Sequence, residues 1–225
     1  MKFRSSLVCG VGTLLLSAAG AYNVQAASVS MVNLGTVSNS ATDTGILPNQ
    51  AQVVEETFTL SSTAGITAFT TSYGGGNNLN GTTAGAGGFQ PSLILFNSSG
   101  NYVMGETYPS PVAHTDPTTH WALDAYLSSS GLPAGTYTIA LADWLNQQSP
   151  SATNLSDGFT DNLGSGGSTF VDAQGNMRSA NYAFNLSVSP AAPPAATPEP
   201  ATLWLVIPAL AAAFVYGRKR RSRLV

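Results

Sequence analysis

Asn181-Tyr182-Ala183-Phe184-Asn185-Leu186-Ser187-Val188 decides the fold class. Tyr182, Phe184, Leu186 and Val188 fall on every second position, with Asn181, Ala183, Asn185 and Ser187 between them. That is the period of a strand with one face in a core and the other in water. The same alternation marks Thr136–Asp143, which places Tyr137, Ile139 and Leu141 inward and Thr136, Thr138 and Ala140 outward. It also marks Trp121, Leu123, Ala125 and Leu127, and Phe58 and Leu60 between Thr57 and Thr59. Ser92–Phe96 is apolar almost throughout, as in a strand covered on both faces. Turn-forming residues separate these segments at Asn97–Asn101, Leu132–Gly135 and Asp172–Asn176. No stretch of the body carries a helical period. The pattern predicts an all-β chain: a single antiparallel β-sandwich of about eight strands, jelly-roll-like. Two Gly-, Asn- and Ser-rich stretches, Tyr73–Gly88 and Gln147–Ser168, read as long mobile loops.

Charge is scarce and unevenly placed. Only 8% of residues are charged, against about a quarter in an ordinary soluble domain. Of the basic residues, Lys2 and Arg4 open the chain and Arg218, Lys219, Arg220, Arg221 and Arg223 close it, leaving Arg178 alone among the ten acids of the body. One arginine cannot neutralise a run of phosphates, so nucleic acid is excluded as a partner. The single cysteine, Cys9, lies in the N-terminal segment, so the body has neither a disulfide nor a thiol nucleophile.

Both ends read as targeting segments. Lys2 and Arg4 precede the apolar run Leu7–Ala21, and Val24-Gln25-Ala26 supplies residues suited to a signal-peptidase site. Residues 1–26 are thus predicted to be a signal peptide, cleaved between Ala26 and Ala27. A Pro/Ala linker, 190–197, follows the domain at 27–189. Residues 198–225 then hold Pro198-Glu199-Pro200, an apolar segment at 203–216 and the basic cluster Arg218, Lys219, Arg220, Arg221 and Arg223. The basic cluster is expected to stay cytoplasmic, with the apolar segment as a transmembrane sorting helix and the body outside.

In this order, the motif, the apolar run and the arginine-rich tail resemble the PEP-CTERM sorting signal. That resemblance implies a protein exported through the inner membrane of a Gram-negative bacterium and processed by an exosortase-type enzyme. It implies a destination at the cell surface or in an extracellular, exopolysaccharide-rich biofilm matrix. Within the body, Leu93–Asn101 followed by Leu132–Ile139 is similar to the paired signature of pre-peptidase C-terminal-type and DVUA0089-type β-sandwich domains. That similarity implies an accessory domain without a catalytic centre.

The residues themselves also point away from catalysis. There is no Gly-x-Ser-x-Gly elbow and no His-Glu-x-x-His motif. Glu55 and Glu56 are adjacent, so on a strand they face opposite sides and cannot flank one glycosidic bond. His114, Asp116 and His120 bracket Pro117 and read as loop residues and not as a metal set. No cofactor is expected, with calcium as the one candidate: Asp157 and Asp161 form one oxygen-rich loop and Asp172 another. Trp144, at a strand end, is the candidate for stacking on a sugar ring, whereas Trp121 shares a face with Leu123 and reads as core. The expectation is a non-catalytic surface or matrix protein. The alternative is a carbohydrate- or calcium-binding module, with extracellular polysaccharide as its partner.

Overall fold

The computed structural model describes residues 29–106, 110–149, 151–159 and 169–190. The chain divides into two units, Met1–Ser189 and Pro190–Val225. Ala26, Ala27, Asp161, Pro198, Glu199, Pro200, the 203–216 segment and the basic cluster Arg218–Arg223 lie outside the described residues. Among the described residues, no helix is long and apolar enough to cross a membrane.

The first unit is all-β. Its strands are β1 (Val29–Thr36), β2 (Ser40–Ile46), β3 (Val53–Leu60), β4 (Ala64–Thr70), β5 (Gly76–Asn77), β6 (Thr83–Ala84), β7 (Pro91–Asn97), β8 (Tyr102–Gly105), β9 (Tyr126–Leu132), β10 (Gly135–Asp143), β11 (Phe170–Val171), β12 (Met177–Arg178) and β13 (Asn181–Pro190). One sheet runs β1-β3-β10-β7-β8 and the other β2-β13-β4-β9, with β5-β6 and β11-β12 as short ribbons. Leaving β1 and the ribbons aside, the eight long strands interleave first-eighth-third-sixth in one sheet and second-seventh-fourth-fifth in the other. That is the order of a jelly roll. Sequence patterning predicts antiparallel pairing only, yet β1 lies parallel to β3, from Val29 opposite Val53 to Thr36 opposite Thr59. The chain reaches this edge and then crosses to start β2 in the other sheet.

The two sheets meet through the residues the alternation selects. Phe58 and Leu60, Leu93 and Leu95, and Tyr137, Ile139 and Leu141 come from one sheet; Ile66, Leu127, Tyr182, Phe184, Leu186 and Val188 come from the other. Phe58 stacks on Tyr137 with ring centroids 5.8 Å apart. A second, smaller cluster of Val53, Phe96, Ala140 and Ala142 lies on the outer face of β3, β7 and β10, with Leu155 and Phe159 packed against it. This explains why β7 is apolar on both faces. Ala140 points outward as the alternation places it, but it is buried there beneath this cover. The segment read as a mobile loop carries, in its described part, a 3-10 turn at Leu155–Asp157 that lids this face.

The Tyr73–Gly88 loop also departs from expectation. It folds into the β5–β6 ribbon, tied back by Gly87 N–H to Tyr73 O (3.1 Å) and Gly88 N–H to Ser72 O (2.7 Å). The ribbon covers Asn185, which the alternation places on the wet face of β13. Asn185 is fully buried: its Oδ1 accepts from Thr42 Oγ1 (3.0 Å) and Leu79 N–H (2.9 Å), and its Nδ2 donates to Asn78 Oδ1 (3.0 Å). Asn185→Ala strands the Leu79 N–H and leaves the buried Asn78 Oδ1 with only Thr71 Oγ1 (2.6 Å) as donor, an expected loss of about 2 kcal/mol. Urea unfolding measures that loss, and faster hydrogen exchange at the Leu79 amide locates it. Unchanged exchange at Leu79 would show that Asn185 does not hold the ribbon.

Trp121 is the other departure. Strand β9 begins only at Tyr126, and Trp121 lies in the preceding loop, 48% exposed. Asp124 occupies the buried position before the strand for hydrogen bonding, so the alternation does not extend back across it.

Candidate functional site

The buried polar groups gather at one end of the sandwich, where β4 and β10 finish and β3, β7, β9 and β13 begin. Arg178, the last residue of β12, is the centre of the larger group. Its side chain is 3% exposed and that of Asp116 is 2%, with Nη2 to Asp116 Oδ2 at 3.1 Å. Nε donates to Gly88 O (2.9 Å) and Nη2 also to Tyr73 O (2.8 Å). The guanidinium carbon sits 3.9 Å from the centre of the Tyr73 ring, a cation–π contact withdrawn from water.

Each partner is fixed in turn. Asp116 accepts from Thr118 N–H (2.9 Å) and Thr119 N–H (2.6 Å). Burial pushes its carboxyl up, but the hydrogen bond from Arg178, the two backbone donors and the Arg178 charge outweigh this and hold it at about 2. Tyr73 donates its hydroxyl hydrogen to Asp172 Oδ2 (2.7 Å) and lies 3.1 Å from Thr119 Oγ1. Burial is the main cause that lifts this phenol to about 12. Asp124 accepts from Thr70 Oγ1 (2.9 Å), Tyr73 N–H (3.0 Å) and Gly74 N–H (2.9 Å); burial nevertheless raises its carboxyl.

A shallow pocket of about 420 Å³ opens beside the ion pair, with Gly87, Pro117, Thr118, Thr119, Asn176 and Met177 in its wall. Its charges are cancelled within the wall by the Arg178–Asp116 pair. The loop from Asp116 to Trp121 closes on itself: His120 N–H donates to Asp116 O (2.9 Å), Asp116 N–H donates to Trp121 O (2.8 Å), and His120 adopts φ 62°, a left-handed conformation that its surroundings must enforce.

The residues singled out by sequence are placed as follows. Asp172 accepts from Tyr73, Gln174 N–H (2.9 Å), Asn176 N–H (2.9 Å) and Asn176 Nδ2 (3.0 Å to Oδ2). Burial raises its carboxyl, yet these donors bring it below the ordinary range. Asp157 closes a capping box, accepting from Thr153 N–H (2.9 Å) and Asn154 N–H (3.0 Å). Both carboxylates are therefore engaged with N–H donors in turns, and the structure does not bring Asp157 and Asp172 together. Among the described residues, no group of three His, Cys, Asp or Glu side chains is placed to hold a metal ion. Trp144 is half-buried, and its indole N–H donates to Val171 O at 2.8 Å. The more exposed indole is that of Trp121. His114 lies against Gly74 and Gly76, close enough to Asp124 for its charge to be felt there.

Sequence reasoning passed over Arg178 and Tyr73. The available signal was Arg178 itself, the one cation among ten acids.

No family model and no curated protein sequence matches the chain. Its fold is similar to the pre-peptidase C-terminal domain of collagenase from Bacillus anthracis, at 14% identity over 74% of this chain and 100% of that one, with a TM-score of 0.35. It is also similar to PliG, a periplasmic inhibitor of g-type lysozyme from Aeromonas hydrophila, at 12% identity over 72% of this chain and 100% of that one, with a TM-score of 0.31.

Proposed function

We propose that this chain is an exported, non-catalytic surface or matrix protein whose jelly-roll body is delivered by a PEP-CTERM-type C-terminal signal and processed by an exosortase-type membrane enzyme. The observation that carries the reading is the order of elements at the C-terminus: Pro198-Glu199-Pro200, then an apolar run, then five basic residues, behind an N-terminal export signal. Positive charge beside an apolar span resists translocation, so the body is delivered outward while the tail waits at the membrane. Support for a non-catalytic body comes from the loop end. Arg178, Asp116, Asp124 and Asp172 all spend their bonding capacity on neighbours within the fold, which leaves a scaffold and not a reactive group. An exopolysaccharide matrix is the surrounding that this address implies.

Changing Pro198-Glu199-Pro200 to alanines is expected to leave a full-length, membrane-retained form. Proline fixes its own backbone and restricts the residue before it, so the substitution removes an extended step that a processing enzyme can grip. Fractionation and intact-mass measurement of parent and variant decide the matter. A variant that reaches the surface with the parent's C-terminal mass would refute the sorting reading.

A further inference from the structure

The β5–β6 ribbon turns on a step that its own side chain can rewrite. Asn77 pairs with Thr83, Asn78 N–H donates to Thr82 O (2.8 Å) and Gly81 N–H to Asn78 O (3.0 Å). The connection is therefore a three-residue loop, Leu79-Asn80-Gly81, whose last residue must be left-handed. Gly81 meets that demand at φ 83°, because it has no Cβ. The same missing Cβ leaves its nitrogen unshielded from the side chain before it. Asn80 and Gly81 are both exposed, and theirs is the one Asn-Gly step in the sequence. Asn80 Oδ1 accepts from Thr82 N–H (3.0 Å) and Thr82 Oγ1 (2.6 Å). Two donors on that oxygen draw electrons from Cγ, as in an oxyanion hole.

We propose that Asn80 is a site of spontaneous deamidation, converted on ageing to an isoaspartyl link that unfastens the ribbon from the sandwich. The Gly81 nitrogen attacks Asn80 Cγ. That C–N bond forms, the Cγ–Nδ2 bond breaks, and the Gly81 amide proton leaves with Nδ2 as ammonia. Water then opens the cyclic imide. Opening at Cγ gives aspartate in an unaltered backbone. Opening at the backbone carbonyl carbon gives isoaspartate, in which the chain runs through Cβ and Cγ and is one carbon longer. Water is the only co-reactant, and nothing is oxidised or reduced. The extra carbon matters because this loop is relayed to the covered face of β13. Thr82 Oγ1 accepts from Asn78 Nδ2 (3.0 Å). Asn78, itself buried, offers Oδ1 to Thr71 Oγ1 (2.6 Å) and Asn185 Nδ2 (3.0 Å). Leu79 N–H reaches Asn185 Oδ1 (2.9 Å). A loop this short has no slack for a longer backbone. Isoaspartate at position 80 therefore takes Thr82 out of register with Asn78 and frees the Leu79 amide.

The test ages the exported protein in warm, mildly alkaline buffer and compares it with a fresh sample. Labelling by an isoaspartyl methyltransferase, followed by peptide mapping, should find isoaspartate at position 80 before any other asparagine. In the aged fraction the Leu79 amide should exchange about tenfold faster than in fresh protein, the effect of losing one net hydrogen bond. Asn80→Asp supplies the new charge without the longer backbone and keeps an acceptor for Thr82. Examined fresh, it should exchange at the parent's rate. Asn80→Ser keeps a short acceptor and cannot form the imide, so after ageing it should still exchange like fresh parent. Absence of isoaspartate at position 80 in the aged parent would overturn the site. An aged fraction whose Leu79 amide exchanges no faster than in fresh protein, or a fresh Asn80→Asp variant that matches the aged one, would overturn the unfastening.

Discussion

Arg178→Met is expected to cost the body about 3–5 kcal/mol, because it strands Asp116 in a buried position without its counter-charge. The guanidinium is also the donor to Gly88 O and Tyr73 O and lies on the Tyr73 ring, so the two loops that flank it lose their common clamp. Equilibrium urea unfolding followed by tryptophan fluorescence measures the loss. Asp116→Asn in the Arg178→Met background should recover part of it, since the stranded charge is then gone. The pH dependence follows from the same pair. Asp116 is held at about 2 in the folded protein against an ordinary 3.8. Its contribution is present above about 3.8 and fades as pH falls toward 2. An Arg178→Met loss below 1 kcal/mol would show that water reaches Asp116 and that the clamp is not structural.

The body should be markedly more stable at pH 5 than at pH 8, and Glu56→Gln should remove most of that difference. Glu56 faces the core between Val54 and Phe58, fully buried, and neither of its carboxyl oxygens meets a hydrogen-bond donor. Burial, then the neighbouring Asp43, raises its carboxyl to about 9 from 4.5. Asp43 is itself engaged by the Tyr182 hydroxyl at 2.7 Å. Tyr182 reaches it by lying across Gly45, where a Cβ would come within 2.6 Å of the phenol oxygen. The folded state therefore keeps a proton that the unfolded chain releases above about 4.5. The stabilisation is complete below that value and is lost progressively up to about 9. Three pH units correspond to roughly 4 kcal/mol if the site stays dry. A neutral amide at position 56 has nothing to titrate, so the variant's melting point should run nearly flat across this range. A parent that melts at the same temperature at pH 5 and pH 8 would rule out a dry, protonated Glu56.

What the sequence disclosed follows from how each residue is buried. The alternation in β13, β10 and β3 is plain because those central strands press one full face into the core. Strands β1 and β2 escape notice because they are edges: β1 buries only Val32 and Leu34 in part, and β2 is Ser-Ala-Thr-Asp-Thr-Gly-Ile. A strand that excludes little water leaves little periodic imprint. Trp121 is misassigned because Asp124 and Ala125 are buried for different reasons, one by hydrogen bonds and one by apolarity. Asn185, Gln50 and Asn146 look like surface residues, and their burial depends on covering loops that no local pattern specifies.

The isolation of Arg178 has a further consequence for survival outside the cell. A protease of trypsin's type cuts only after lysine or arginine, and between residues 5 and 217 the chain offers one such bond. Its side chain is 3% exposed and gripped by Asp116, so the folded body presents that class of enzyme with nothing to read. Cleavage there requires the loops around β12 to open first, so digestion of the native protein should be confined to its two ends.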